Sequence, residues 1–463
     1  MYLYQNWSLY IRIIHYVVNY WTIFWILIPI HGSYGYIEKK VPMRTARLIN
    51  IFLVVFVDML GFGLILPLLP YYAENFNATP LIIGLLVASY AAASLLGAPL
   101  MGRLSDRYGR RLILLLSVVG TFIGYLLLGF AQPIGSLLAN LFASHAVNAF
   151  IIGILFLSRT LDGITGGNIT VAQAYISDVT DETNRSRGLG VIGSAFGLGF
   201  IIGPAMGGLL SRWGYNIPAF ASAGLTFLNL VSIFFFLPES LTHEQRATAM
   251  RQQRPSLTLK ALMSALNRPK VGPLLLVRFF LMLAFAMFQS VFALFAQRKL
   301  NLTAQSTGFV LTYIGFYSVL VQGVGIGLLT KRFKDNALII TALWLMFFGL
   351  IGWSLTPNLP GMLLAILPLS GGGWTVNTII TSAITKAVEP EEIGGMLGIS
   401  SALESITRVI APTIGGFILG SIGTWAPGVF SAVVILWAIW LAYQRIVFVK
   451  APVEQQSTEP CCA

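Results

Sequence analysis

Twelve apolar stretches follow one another along this chain, each near the roughly 20 residues that an α-helix needs to cross a bilayer. They lie near residues 47–70, 81–101, 112–131, 150–174, 188–211, 217–237, 272–296, 306–329, 337–356, 360–385, 394–420 and 425–449. Of the 463 residues only 10% are charged and 56% are hydrophobic, where a soluble domain carries about 25% charged residues. No water-compatible surface can be built from such a list. Lipid offers the backbone no hydrogen bonds, so each segment must satisfy its own, as a helix does. The expected class is therefore an all-α polytopic membrane protein.

The longest polar interval runs from Pro238 to Val271 and holds Glu239, Glu244, Arg246, Arg251, Arg254, Lys260, Arg268 and Lys270. It divides the chain into bundles of six helices over 43–238 and 272–450, joined by a central loop over 239–271 and followed by a tail, 451–463. The halves repeat. Pro204 and Pro412 stand 208 residues apart, each followed after two residues by a glycine pair, Gly207 and Gly208, then Gly415 and Gly416. The same offset aligns Gly190 with Gly398 and Gly163 with Gly371, whereas Gly102 and Gly327 are 225 apart. The difference places an insertion of 17 residues in the first half, around Gln132 to Ala149. Parallel repeats of six helices are a known layout of membrane carriers.

The net charge of +12 is distributed by topology. Lys39, Lys40, Arg44 and Arg47 precede the first stretch. Arg103, Arg107, Arg110 and Arg111 follow the second, Arg185 and Arg187 the fourth, Lys331, Arg332 and Lys334 the eighth, and Lys450 the twelfth. The alternate loops hold only Arg212, Arg298 and Lys299. The positive-inside rule then puts both ends of the bundle in the cytoplasm, and nucleic acid is not an expected partner. Cys461 and Cys462 both lie in the tail and the four histidines show no ligand spacing, so neither a disulfide framework nor a metal site is expected. Asn77-Ala-Thr79 and Asn301-Leu-Thr303 match the glycosylation sequon, which matters only in a secretory-pathway host. Residues 1–42 carry a further apolar run, Trp7 to Ile30, broken by Arg12 and His15. It reads as a thirteenth span, as an interfacial helix, or as translation from a start upstream of Met43.

Charges inside the spans are informative, since each costs about 2.5–3.5 kcal/mol at the bilayer centre on insertion scales. Asp58 lies about ten residues into the first stretch, near 15 Å deep. Arg159 in the fourth stretch reaches a comparable depth, and Asp162 follows at i+3 on the same face. An apolar cavity favours a neutral carboxyl and a nearby arginine favours a charged one. A group held between them can load a proton from one side and lose it to the other. Asp58 is the expected proton carrier, tuned by Arg159 and Asp162; a permanent Asp–Arg pair that only fixes packing is the competing reading. Glu404 and Arg408 form an i,i+4 pair where the repeat has Phe196 and Phe200. They read as a second proton site, a contact for a cationic substrate, or a neutralised structural pair. Arg278 is expected to snorkel to the cytoplasm, with a role in the cavity as the alternative. Asn168, Gln173, Tyr175, Phe285, Phe288, Gln289, Tyr313, Tyr317, Gln322, Trp374 and Asn377 are the expected cavity lining, suited to amphipathic, ring-containing ligands.

Two motifs carry a family resemblance. Gly190, Gly199, Gly203, Pro204, Gly207 and Gly208 spell G-x8-G-x3-G-P-x2-G-G within one apolar helix. Small residues at these spacings admit a close helix neighbour. Gly102 to Arg111 reads G-R-L-S-D-R-Y-G-R-R, with Gly102, Asp106, Arg107, Gly109, Arg110 and Arg111 at the marked positions. This stretch resembles the G-x3-D-R-x-G-R-R signature of the major facilitator superfamily. The glycine string resembles the antiporter motif on helix 5 of its proton-coupled drug-efflux branch. Asp58-Met-Leu-Gly-Phe-Gly and Leu66-Pro67-Leu-Leu-Pro70 look like helix 1 of the tetracycline-resistance and multidrug type, and Arg159 with Gly163 resembles an R-x3-G pattern of helix 4. Asp162 inside that pattern is a departure. The resemblance runs from about Arg44 to Lys450. It implies two pseudo-symmetric six-helix bundles that rock about a midplane site. It further implies a monomeric, non-enzymatic carrier in the plasma membrane that exchanges a small organic drug-like substrate for protons, with the proton gradient in place of a cofactor. The Gly102–Arg111 segment would latch the halves through Asp106, Arg107 and Arg110. Its second-half copy, Gly327 to Lys334, lacks the aspartate. A metabolite uniporter or proton symporter of the same fold is the alternative, ahead of a membrane-embedded enzyme or a receptor.

Overall fold

The computed structural model describes residues 43–241, 246, 259–389 and 392–447. The first 42 residues, most of the central loop, and the tail with Lys450, Cys461 and Cys462 lie outside the described residues. Among the described residues, twelve helical stretches are long and apolar enough to cross a membrane. The first half comprises α1 (Met43–Ile65), α2 (Leu69–Glu74), α3 (Pro80–Tyr108), α4 (Arg110–Gly129), α5 (Ala131–Leu141), α6 (Val147–Thr165), α7 (Asn168–Val179), α8 (Glu182–Leu210) and α9 (Ile217–Phe236). A short α10 (Leu259–Leu266) leads into the second half: α11 (Gly272–Leu300), α12 (Ala304–Leu320), α13 (Ile326–Arg332), α14 (Asp335–Leu355), α15 (Leu359–Lys386), α16 (Ile393–Ser421) and α17 (Ala426–Ala442).

Three departures from the sequence reading have local causes. The fourth span, expected as one helix over 150–174, runs from Val147 to Val179 and breaks at Gly166 and Gly167 between α6 and α7. The eighth span is interrupted by a π-turn, Val321–Gly325, between α12 and α13. The extra residues of the first half contain a helix of their own, α5.

The sequons have a structural part to play. Asn77 and Asn301 both adopt left-handed backbone, φ 59° and 52°, a conformation that Asn tolerates better than most residues. Thr79 and Thr303 then cap α3 and α12, each side chain accepting from the backbone N–H three residues on. The two turns are repeat equivalents, and each launches a helix that joins the halves.

Those joints are the pairs α3 with α16 and α8 with α12, and they obey the repeat. A Cβ built on Gly84 of α3 would fall 2.2 Å from the carbonyl oxygen of Pro412 on α16; one on Gly308 of α12 would fall 2.3 Å from the carbonyl oxygen of Pro204 on α8. Gly416 packs on Pro80 and Gly208 on Gln305 in the same fashion. Only glycine leaves room for backbone against backbone here. Close to this seam, Arg298 bonds Glu74 at 2.6 Å, Arg212 bonds Gln305 at 2.6 Å, and the Tyr71 hydroxyl meets Thr307 Oγ1 at 2.6 Å. Burial pushes the Tyr71 phenol up to about 12, so it stays a neutral hydrogen-bonding group at physiological pH. All these contacts lie at the end away from the basic segments. Toward the basic end, Gly190 and Gly193 on α8, Gly323 and Gly327 on the eighth span, and Gly394, Gly395 and Gly398 on α16 have no atom within 4 Å of a Cβ position. Among the described residues these contacts between the halves lie at one end, and toward the basic end these glycines border open space, which we read as a cleft between the halves.

The glycine string is divided between two neighbours. Gly199, Gly203 and Gly207 recur every four residues and lie against Met59, Gly63 and Leu64 of α1. Pro204 and Gly208 occupy the adjacent face and carry the contact with α12 across the halves. Gly190 stands apart in the open portion.

Candidate functional site

Three helices of the first half converge on Asp58. The break at Gly166 and Gly167 starts α7 at Asn168, whose Nδ2 donates to Asp58 Oδ1 at 2.5 Å. The Ser117 hydroxyl of α4 lies 2.7 Å from Asn168 Oδ1 and also bonds the Thr165 carbonyl. Asn168 is buried and Asp58 half-buried. Among the described residues, Asp58 has no cationic side chain within 4 Å. Arg159 pairs instead with Asp162 at 3.1 Å, both side chains about 5% exposed or less, and its guanidinium stands 5.5 Å from the Tyr125 ring centre. The three charged residues grouped in the sequence therefore separate into a sealed ion pair and a carboxyl held by an amide.

This arrangement accepts both protonation states of Asp58. A carboxylate takes the Asn168 N–H, and Ser117 donates to Asn168 Oδ1. With Asp58 protonated, a half-turn of the amide lets Asn168 Oδ1 accept the acid proton while Nδ2 donates to Ser117 Oγ. The single Ser117 proton then goes to the Thr165 carbonyl. The amide has both a donor and an acceptor end, and neither state strands a buried polar group.

In the second half Glu404 of α16 meets two guanidiniums, Arg278 at 3.3 Å and Arg408 at 2.8 Å. Arg278 is buried and also bonds Thr381 of α15, so it ties α11, α15 and α16 together rather than snorkelling outward. Phe285 packs edge-on against Trp374 at 5.4 Å. Trp374 Nε1 and Asn377 Oδ1 are buried atoms with no hydrogen-bond partner among the described residues. Tyr313 and Tyr317 are half-buried on α12, the Tyr317 hydroxyl lying against Gly371, and Gln173 and Gln289 are exposed. Two expected lining residues belong to the packing instead. Phe288 is buried against Trp353 at 4.9 Å, and Tyr175 is buried with its hydroxyl on the Pro238 carbonyl at 3.0 Å. One residue the sequence did not single out is Tyr90. Its hydroxyl is in electrostatic reach of Asp58, Arg159 and Asp162 in the first half and of Arg408 in the second.

A family model described as Major Facilitator Superfamily matches residues 51–333 and 274–459. The chain belongs to the major facilitator superfamily. It is 30% identical to the class C tetracycline resistance protein of Escherichia coli over 78% of this chain and 86% of that one. It is 27% identical to the class H tetracycline resistance protein of Pasteurella multocida, over 89% and 97% of the two chains. A bacterial homologue of the human lysosomal transporter Spinster, solved facing inward and unoccupied, shares the fold with a TM-score of 0.68 at 15% identity, over 88% and 97% of the two chains. The protein is thus a membrane transporter with the superfamily's all-helical fold.

The superfamily signature Gly102–Arg111 forms helix, one glycine, helix rather than a loop. Gly102, Asp106 and Arg107 end α3, Gly109 turns at φ 109°, and Arg110 and Arg111 open α4. Asp106 pairs with Arg110 at 2.6 Å, and Arg110 also bonds Asp178 at 3.0 Å and Ser105 at 2.6 Å. These partners all belong to the first half. The carboxylate that meets the α4 N-terminus is Glu239, which accepts from the Arg110 and Arg111 backbone N–H groups at 2.9 and 3.2 Å. A Cβ on Gly109 would lie 2.5 Å from that carboxylate, so another residue here would displace the Glu239 side chain as well as strain the backbone at φ 109°. Glu239→Ala removes this cap and a partner of Arg246. The expected loss is about 1–2 kcal/mol, read as a lowered melting temperature of the purified protein in detergent.

Proposed function

We propose that this transporter exports drug-like amphipathic organic molecules in exchange for protons. The observation that carries the reading is Asp58, a carboxyl within a span that is bonded by an amide rather than paired with a cation among the described residues. A proton binding there changes the net charge of the transport site, whereas the Arg159–Asp162 pair holds its charge balance. The basic end is assigned to the cytoplasm by the positive-inside rule, and the host membrane to the plasma membrane. The present conformation is then inward-open. Asp58 loads a proton when the opposite end parts, releases it to the cytoplasmic cleft when the halves tilt back, and leaves a charged site for the next substrate. The energy is the proton gradient, to which membrane potential contributes about 2.3 kcal/mol per charge per 100 mV; no bound cofactor is needed. A single chain contains both halves and the whole cleft, so a monomer suffices. The tetracycline-resistance relatives favour a ring-containing drug as cargo.

The test adds a panel of dyes and antibiotics to acid-loaded inverted vesicles containing the protein. Export by antiport predicts that a transported compound drives protons out of the vesicle. Proton entry with the compound would make the protein a symporter, and transport indifferent to the gradient a uniporter; either result ends this reading.

A further inference from the structure

The two walls of the cleft carry opposite charge. In the first half the excess is Asp58, since Arg159 and Asp162 neutralise each other. In the second half one carboxylate faces two guanidiniums, and Arg278, 10% exposed, is enough to neutralise Glu404. Arg408 is left as the excess. Its side chain is 62% exposed. Its Nη2 reaches Glu404 Oε1, and among the described residues its Nε and Nη1 make no hydrogen bond to protein.

The position of Arg408 along α16 shows which way it faces. The helices α3 and α16 touch where Gly84 meets Pro412. Arg408 lies four residues before Pro412, about 6 Å toward the basic end, and Tyr90 lies six residues past Gly84, about 9 Å in the same direction. Both stand where the halves begin to part, and Arg408 is in electrostatic reach of the Tyr90 hydroxyl across the gap. An arginine at this depth facing lipid would be costly; facing the open cleft it stays hydrated. Arg278, the partner that competes with it for Glu404, also contacts α15 through Thr381, and α15 carries the unbonded Trp374 Nε1 and Asn377 Oδ1. Buried polar atoms without partners are rare in folded proteins and mark places where a ligand or water completes the set.

We propose that Arg408 anchors an anionic group, such as a carboxylate, sulfonate or acidic enol, on the amphipathic molecules that occupy this cleft, with Phe285 and Trp374 as the aromatic shelf beside it. A guanidinium is suited to this because its planar fork can donate two parallel bonds to such a group. Of the three sequence readings of Glu404 (a second proton site, a contact for a cationic substrate, a neutralised structural pair), this proposal takes the last, with Glu404 holding the two arginines. The proposal rests on the export reading for the nature of the cargo, but its test needs no gradient.

The full-length protein in nanodiscs is titrated with two fluorescent dyes, a carboxyl-bearing rhodamine and its methyl ester, and binding is followed by anisotropy. The acid is expected to bind about ten- to a hundredfold tighter than the ester. Arg408→Gln should remove that difference by weakening the acid alone, and Arg408→Lys should keep part of it. Unchanged ester binding to Arg408→Gln shows that the cleft is intact. Equal affinities in the unaltered protein, a difference that survives Arg408→Gln, or no binding of the acid overturns the proposal. Failure of proton coupling in vesicles would leave these affinities as they are.

Discussion

Asp58→Asn is expected to leave the protein folded and inserted while reducing proton-driven uptake into inverted vesicles to the level of vesicles lacking the protein. Asparagine has nearly the shape of aspartate and keeps an oxygen for the Asn168 N–H, so packing around α1, α4 and α7 is preserved. What it removes is the exchangeable proton. Exchange of labelled for unlabelled substrate across a membrane without a gradient should persist, because that step needs only the tilt of the halves. Retention of full gradient-driven uptake would remove Asp58 from the mechanism. The neighbouring pair should behave differently. Asp162→Asn leaves Arg159 buried without its counter-charge, a change expected to cost about 3–5 kcal/mol. Its effect should therefore appear as loss of folded protein, so the two substitutions separate a proton carrier from a structural ion pair.

The second large effect is conformational. Gly84→Val and Gly308→Val each place atoms where a partner carbonyl oxygen now sits, at 2.2 and 2.3 Å from the Cβ position. Overpacking of this kind costs about 1–3 kcal/mol per site, and only in the state in which this end is closed. Together the substitutions should shift the equilibrium by about 2–6 kcal/mol, and about 5.5 kcal/mol is enough to turn a 99:1 population into 1:99. Spin labels at Asn75 and Lys299, in a background with Cys461 and Cys462 replaced by serine, flank the Glu74–Arg298 bridge. Their separation should lengthen in the double variant, and transport should fall because the cycle stalls with this end open. An unchanged distance distribution would mean that the glycine seam is not the closing surface.

Much of the architecture was legible because lipid allows few solutions. The apolar lengths, the basic segments and the offset of 208 residues define twelve spans and two halves, and the family match agrees with the fold they imply. The glycine string announced close packing, but not that Gly199, Gly203 and Gly207 would face α1 while Pro204 and Gly208 face the other half. Periodicity identifies a helix face and leaves its neighbour undefined. The break at Gly166 and Gly167 was hidden within a continuous apolar run, so Asn168 read as cavity lining rather than as the partner of Asp58. The carboxylate at the α4 N-terminus is Glu239, more than 100 residues away in sequence; it has that place because it directly follows α9, which packs along α4, and no local pattern encodes that packing. Tyr90 gave no signal, being one aromatic residue among many in the spans.

The amino-acid sequence by itself determined the membrane class, the number of spans, the internal repeat and the set of charges that lipid would not accept without a reason. Those features follow from composition and spacing, which act locally and at every position. Only the tertiary structure decided the pairing of those charges: Arg159 with Asp162, Arg278 and Arg408 with one Glu404, and Asp58 with an amide. Pairing depends on angstrom distances between helices far apart in the chain, and these are set by backbone contacts at glycine that hydrophobic patterning does not specify.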